Sequence, residues 1–192
     1  MHCMSHPLQP IRDYFLDCFR QSITKARGEL DQLATELLLE IPSLKHPEYC
    51  YRLYRADIVG KRDGKSKILE VTVGGREVLA WKSAVPVGVS LDAPMVWYGI
   101  EFEVSGTTPD ERALLDWTTR WMDISDSRYD DSAEFQQVIH SVTPPRITDS
   151  GFNISVDFGS APTTAFDELT QLLVRDARRV SVGSFFLSGS AA

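Results

Sequence analysis

Six side chains on two alternating segments have types and spacing that could support chemistry. They occupy alternate positions within residues 96–104 and 152–158: Trp97, Glu101, Glu103, Asn153, Ser155 and Asp157. Carboxylates held close together raise one another's pKa, bind cations or hold a basic partner. The hypothesis is therefore a binding site, without an assigned catalytic role, formed by these six residues. A plain solvated face of a sheet is the alternative.

Two strand-and-helix units are needed to position these residues. In each unit apolar residues alternate with polar ones, which predicts a strand with one buried face. An amphipathic helix follows each strand, and its apolar residues recur at helical spacing. The two stripes are Leu114, Trp117 and Trp121, and Phe166, Leu169 and Leu173. If the two strands of this predicted repeat, which spans residues 96–187, lie side by side, the six polar residues share one face.

An apolar stripe near the start of the chain predicts a long helix. It runs from Ile11 to Glu40 in steps of three or four residues, ends before Pro42 and lies within residues 1–45. Two roles are open for it: packing on the protein's own sheet, or forming the seam of a homodimer. Residues 1–10 are expected to be a frayed tail.

Residues 49–82 are predicted to form a three-stranded antiparallel meander. Its strands are Tyr49–Val59, Lys67–Val73 and Glu77–Lys82. The pair Asp63-Gly64 predicts a tight turn between the first two strands, with lysines and an arginine on its tip. A phosphate-binding loop is excluded because only three residues separate Gly60 from Gly64 and a strand follows.

The predicted fold is α+β in a single domain of residues 1–192. It consists of the N-terminal helix, the meander and two β–α units on a mostly antiparallel sheet, with flexible tails at 1–10 and 188–192. A ferredoxin-like fold or a duplicated two-layer sandwich fits this order of elements. The sequence determines neither the strand order nor whether residues 133–141 are helix or strand.

Composition excludes several classes of function. A net charge of −7 disfavours general binding to nucleic acid or to an anionic membrane. No stretch approaches the roughly 20 apolar residues that a membrane span needs. Three cysteines without CxxC spacing and no apparent signal peptide favour the cytoplasm. No motif indicates a cofactor or a metal, and His140 is expected to be structural or exposed.

The sequence therefore favours a non-catalytic protein-interaction module. Its partner would be another protein or a second copy of the chain, in a homodimer formed through the long helix or the sheet. The alternative is an enzyme, or a protein that binds a small molecule or a cation through carboxylates on the polar sheet face. Because no catalytic motif is present, catalysis is the less favoured reading.

Overall fold

The computed structural model describes residues 6–74, 89–91 and 94–184. Three α-helices are found there: α1 (Gln9–Arg27), α2 (Glu111–Met122) and α3 (Thr163–Val174). The strands are β1 (Gln32–Glu40), β2 (Leu53–Arg62), β3 (Lys65–Leu69), β4 (Val89–Leu91), β5 (Ile100–Ser105), β6 (Ser141–Val142), β7 (Arg146–Ile147), β8 (Gly151–Asp157) and β9 (Arg179–Ser184). A short 3-10 turn, Tyr49–Arg52, leads into β2. The predicted α+β class is confirmed.

The long N-terminal helix is a wrong prediction in its second half. Helix α1 begins at Gln9 and ends at Arg27, and the chain then forms β1 from Gln32 to Glu40. Leucines at spacing four continue the helical stripe into β1, but pairing with β2 along nearly its whole length overrides that local preference. Residues 6–10 of the predicted tail include the first two residues of α1, Gln9 and Pro10; residues 1–5 lie outside the described residues.

Strands β1, β2 and β3 form an antiparallel sheet in that order. The hairpin between β2 and β3 turns at Asp63 and Gly64, whose φ values are +52° and +74°. Two successive positive φ values are the geometry of a two-residue type I′ turn, so the predicted turn is confirmed. The predicted meander strand Glu77–Lys82 lies outside the described residues.

A second sheet has the order β4-β9-β5-β8-β6, with β7 also paired to β8. Strands β5 and β8, which belong to the two predicted β–α units, are antiparallel neighbours and pair Glu101 with Ser155 and Glu103 with Asn153. Residues 133–140 form neither helix nor strand, and β6 begins at Ser141. An internal duplication, and a ferredoxin-like or two-layer sandwich fold, stay predictions.

The main core lies between the second sheet and its helices. Phe102 of β5 stacks on Phe166 of α3 at 5.6 Å between ring centroids, and Phe158 lies 6.2 Å from Trp117 of α2. Helix α1 extends the core toward the first sheet, because its Phe19 ring lies 6.0 Å from that of His140. Three buried polar residues, Glu36, Asp57 and His140, also lie where the two sheets meet, and they form the cluster described next.

Candidate functional site

A buried histidine between the two sheets contacts a carboxylate on each side of its ring. The Nε2 atom of His140 lies 2.7 Å from Oε1 of Glu36, and its Nδ1 atom lies 2.7 Å from Oδ1 of Asp57. All three residues are buried. Because Glu36 belongs to β1, Asp57 to β2 and His140 precedes β6, these contacts join the first sheet to the second. We call this set the histidine cluster.

An irregularity in β1 places Glu36 in the histidine cluster. Its φ is +52°, a left-handed value that side chains other than glycine rarely adopt. Residues on either side keep their partners, Thr35 with Ile58 and Leu37 with Ala56, while the ladder has no pair at Glu36 itself. The second carboxylate oxygen of Glu36 accepts the backbone N–H of Gln136 at 2.5 Å. Backbone strain of this kind is tolerated where surrounding contacts compensate for it.

Asp57 and Gly159 complete the surroundings of the imidazole. The Oδ2 atom of Asp57 accepts the backbone N–H of Val71 at 2.5 Å, which leaves its Oδ1 atom for the histidine. Gly159 has a φ of +47°, and a Cβ atom there would lie 2.1 Å from the His140 ring. The position therefore requires glycine both for its backbone and for the space that the ring fills.

Arg55, which is 1% exposed, extends the cluster toward α2. Its guanidinium donates to the carbonyl oxygens of Met122 (2.7 Å), Asp123 (2.8 Å) and Glu36 (2.8 Å), and to the carboxylate of Asp126 (2.8 Å). Met122 is the last residue of α2, whose carbonyl end carries partial negative charge. Arg55 thus ties the first sheet to the C-terminal end of α2.

The charges of the cluster compensate one another. Burial alone would lower the pKa of His140, but its contacts with Asp57 and Glu36 raise that pKa well above the ordinary value. The histidine is therefore a cation at neutral pH. Burial raises the pKa of Asp157, which is partly buried at the end of β8, to about 7, with the charge of Asp57 acting in the same direction and that of His140 opposing it.

This arrangement is suited to structure rather than to catalysis. A general base must offer a free nitrogen to its substrate, whereas both ring nitrogens of His140 face carboxylates. Burial raises the pKa of the Cys50 thiol to about 11, which keeps it protonated and poorly nucleophilic. Across residues 6–74, 89–91 and 94–184 no group of three or more His, Cys, Asp or Glu side chains is arranged so that it could hold a metal ion.

Five of the six sequence-predicted site residues lie on the polar face of the second sheet. Glu101 and Glu103 on β5 are adjacent to Ser155 and Asn153 on β8, and Asp157 follows on the same face of β8. The side-chain amide of Asn153 donates to Oε1 of Glu101 at 3.5 Å. The two strands thus lie side by side, as predicted. The carbonyl oxygen of Asp157 accepts the backbone N–H of His140, which connects this face to the histidine cluster.

Trp97 lies in the core instead of on the polar face. It has no exposed surface, its indole N–H donates to the carbonyl oxygen of Gly159 at 3.0 Å, and its ring lies 4.9 Å from that of Phe158. Strand β5 begins only at Ile100, so the alternation that placed Trp97 beside Glu101 does not extend back to it. Its sequence-predicted position is corrected accordingly.

A groove of about 320 Å³ lies between α1, β1 and residues 129–136. Its most polar wall contains Arg20, which donates to both carboxylate oxygens of Glu134 and to Asp17. Asp131 and Arg27 add one charge of each sign to the lining. The groove therefore carries no strong excess of either charge that would select an ionic ligand.

The β2–β3 hairpin is the most distinctive exposed surface. All five residues of β3 are exposed, and among them Ile68 (47%) and Leu69 (37%) are large apolar side chains. Within the described ranges β3 pairs with β2 alone. We call the side of β3 away from β2 the β3 edge.

No protein-family model, curated protein or solved structure matches the chain. None of the described helices combines the length and the apolar character that a membrane crossing requires.

Proposed function

We propose that this chain is a non-catalytic module that binds another protein through the β2–β3 hairpin. The exposure of Ile68 and Leu69 on β3, a strand that pairs only with β2 among residues 6–74, 89–91 and 94–184, carries the proposal. Open edges present backbone amides and carbonyls that pair readily with another chain, and apolar side chains there add buried area on binding. The two large apolar side chains exposed on β3 are therefore available for recognition.

The surroundings of His140 and Cys50, two side chains that could act in catalysis, also support binding over catalysis. His140 is enclosed by Glu36 and Asp57, and the thiol of Cys50 is kept protonated. Catalysis by His140 would require opening the junction between the sheets, and catalysis by Cys50 would require exposing a buried thiol. A recognition surface on the hairpin needs no such opening, because its groups are already exposed.

Affinity purification from the native host tests the proposal. We expect the wild-type protein to recover one stoichiometric protein, and the double variant Ile68→Thr, Leu69→Thr to lose it, because threonine keeps strand propensity while removing apolar area. Ile147→Thr is the matched control, since Ile147 is 63% exposed on β7 of the other sheet. Thermal unfolding of each variant checks that the fold is kept.

Two results would contradict the proposal. If no protein co-purifies with the wild type, the proposed binding to another protein is contradicted. A thermal shift induced by calcium or magnesium chloride, and abolished by Glu101→Gln with Asp157→Asn, would instead favour cation binding on the polar sheet face. That alternative has one supporting observation: the Oδ1 atom of Asn153, beside Glu101, is buried without a hydrogen-bond partner.

A further inference from the structure

We infer that the β3 edge binds an acidic, extended segment of the partner protein, which adds to the first sheet as a further strand. The inference rests on the proposed function and specifies the chemistry of the partner. Two features of the hairpin lead to it: the direction of its backbone amides and its charge.

The register of the hairpin determines which β3 amides face away from β2, the one strand that pairs with β3 in the described part of the chain. Arg62 and Lys65 flank the two-residue turn and form a hydrogen-bonded pair, so every second pair along the ladder is bonded in the same way. The amides of Lys65, Lys67 and Leu69 therefore point toward β2. Those of Ser66 and Ile68 point to the β3 edge, at the spacing that an added strand requires.

The charge of the hairpin selects an acidic partner. Residues 61–67 carry four basic side chains, Lys61, Arg62, Lys65 and Lys67, and one acidic side chain, Asp63. The whole chain has a net charge of −7, so this segment is a local reversal of sign. Complementary charge steers association and rejects partners of like charge.

The same charge argues against a second copy as the occupant. Antiparallel pairing of two β3 strands along their full length would place Lys67 of one copy opposite Lys67 of the other, with Lys65 diagonal to it. Like charges placed opposite each other across strands are destabilising. Nucleic acid is a poorer match than a peptide, because Ile68 and Leu69 lie beside the lysines and favour apolar side chains over phosphates.

Selection from a displayed library of random 12-residue peptides tests the inference. We expect the selected peptides to alternate Asp or Glu with β-branched residues, since such a peptide pairs as a strand and complements the lysines. The substitution Ser66→Pro removes one outward N–H and is expected to weaken the best peptide about tenfold or more. Ser66→Ala, which keeps that N–H, is its matched control.

Charge reversal provides the second variant. Lys65→Glu with Lys67→Glu is expected to weaken binding by about tenfold or more and to remove its dependence on salt. Lys45→Glu with Arg112→Glu is the control, because it changes the net charge equally at two exposed sites away from the hairpin. Circular dichroism confirms that all variants remain folded.

Several outcomes would overturn the inference. These are an absence of enriched peptides, peptides without acidic residues, and binding that the Ser66 and lysine variants leave unchanged. A dimer seen by sedimentation and lost in Ser66→Pro would make a second copy the occupant. Oligonucleotide binding lost with the lysines would make it nucleic acid. If the purified partner depends on Ile68 and Leu69 but not on Ser66 or the lysines, the proposed function stands and this inference fails.

Discussion

Replacing Arg55 with methionine is expected to lower the free energy of unfolding by about 3–5 kcal/mol. Methionine fills similar space but donates no hydrogen bond, so the carbonyl oxygens of Met122, Asp123 and Glu36 lose their shared donor inside the protein. Buried carbonyls without a donor bear their desolvation penalty in full. Urea denaturation followed by tryptophan fluorescence measures the loss.

Arg52→Met is the control for this experiment. Arg52 immediately precedes β2, and it pairs with Glu40 where both side chains are substantially exposed. Exposed ion pairs contribute at most about 1 kcal/mol, so this variant should remain close to the wild type. Equal losses in the two variants would show that Arg55 is not a buried link between β2 and the end of α2.

His140→Gln is expected to destabilise the protein by about 3 kcal/mol at pH 7 and to change how its stability depends on pH. Glutamine leaves the buried carboxylates of Glu36 and Asp57 without a cation between them. In the wild type the pKa of His140 is raised on folding, so the folded state holds a proton that the unfolded state has released above about pH 6.5. Stability contributed by this proton is present below pH 6.5 and is lost as pH rises toward the folded pKa.

The slope of the free energy of unfolding against pH measures the contribution of the His140 proton directly. From about pH 7.5 up to the raised folded pKa of His140, the wild type should lose up to about 1.4 kcal/mol per pH unit, and His140→Gln should lack that component. Burial also raises the pKa of Glu70, and that of Asp157 to about 7. The stability lost through the Asp157 carboxyl therefore falls mainly between about pH 4 and 7, below the window chosen for His140.

His46→Gln is the matched control for the pH series. The described contacts of His46 are the Tyr51 ring and the backbone N–H of Glu48, neither of which is a carboxylate. It should retain the wild-type slope. Identical slopes in the wild type and His140→Gln would contradict the assignment of the buried proton to the histidine cluster.

The residue pattern of the sequence predicts those elements that are determined by residues close together in the chain. The Asp63-Gly64 turn follows from two residue types that tolerate positive φ, and α2 and α3 follow from apolar spacing. Strands β5 and β8 follow from alternation because each has one face against the helices. Their pairing with each other was an expectation that the register confirms.

The histidine cluster lies beyond what local pattern can predict. Glu36 and His140 are separated by 104 positions, and nothing near either residue indicates the other. Glu36 was also placed in a helix, because leucines on both sides of it continue the stripe of α1. Only the pairing of β1 with β2 brings Glu36 opposite Asp57, and only the contact between the two sheets adds His140.

Trp97 shows the limit of extrapolating an alternation beyond the end of a strand. The backbone N–H of Gly99 donates to the carbonyl oxygen of Val96 at 3.4 Å, so the chain turns just before β5 begins. That turn directs the indole inward, where Gly159 accepts its N–H. Sequence alternation alone does not reveal where such a turn interrupts a strand.

Amide hydrogen exchange in β3 of the free protein, followed residue by residue by NMR, tests the central claim most directly. An open edge predicts rapid exchange at Ser66 and Ile68, because their amides face away from β2, and slower exchange at Lys67 and Leu69, which pair with it. Equal protection at all four positions in the free protein would show that the β3 edge is already covered and would contradict its role in recognition.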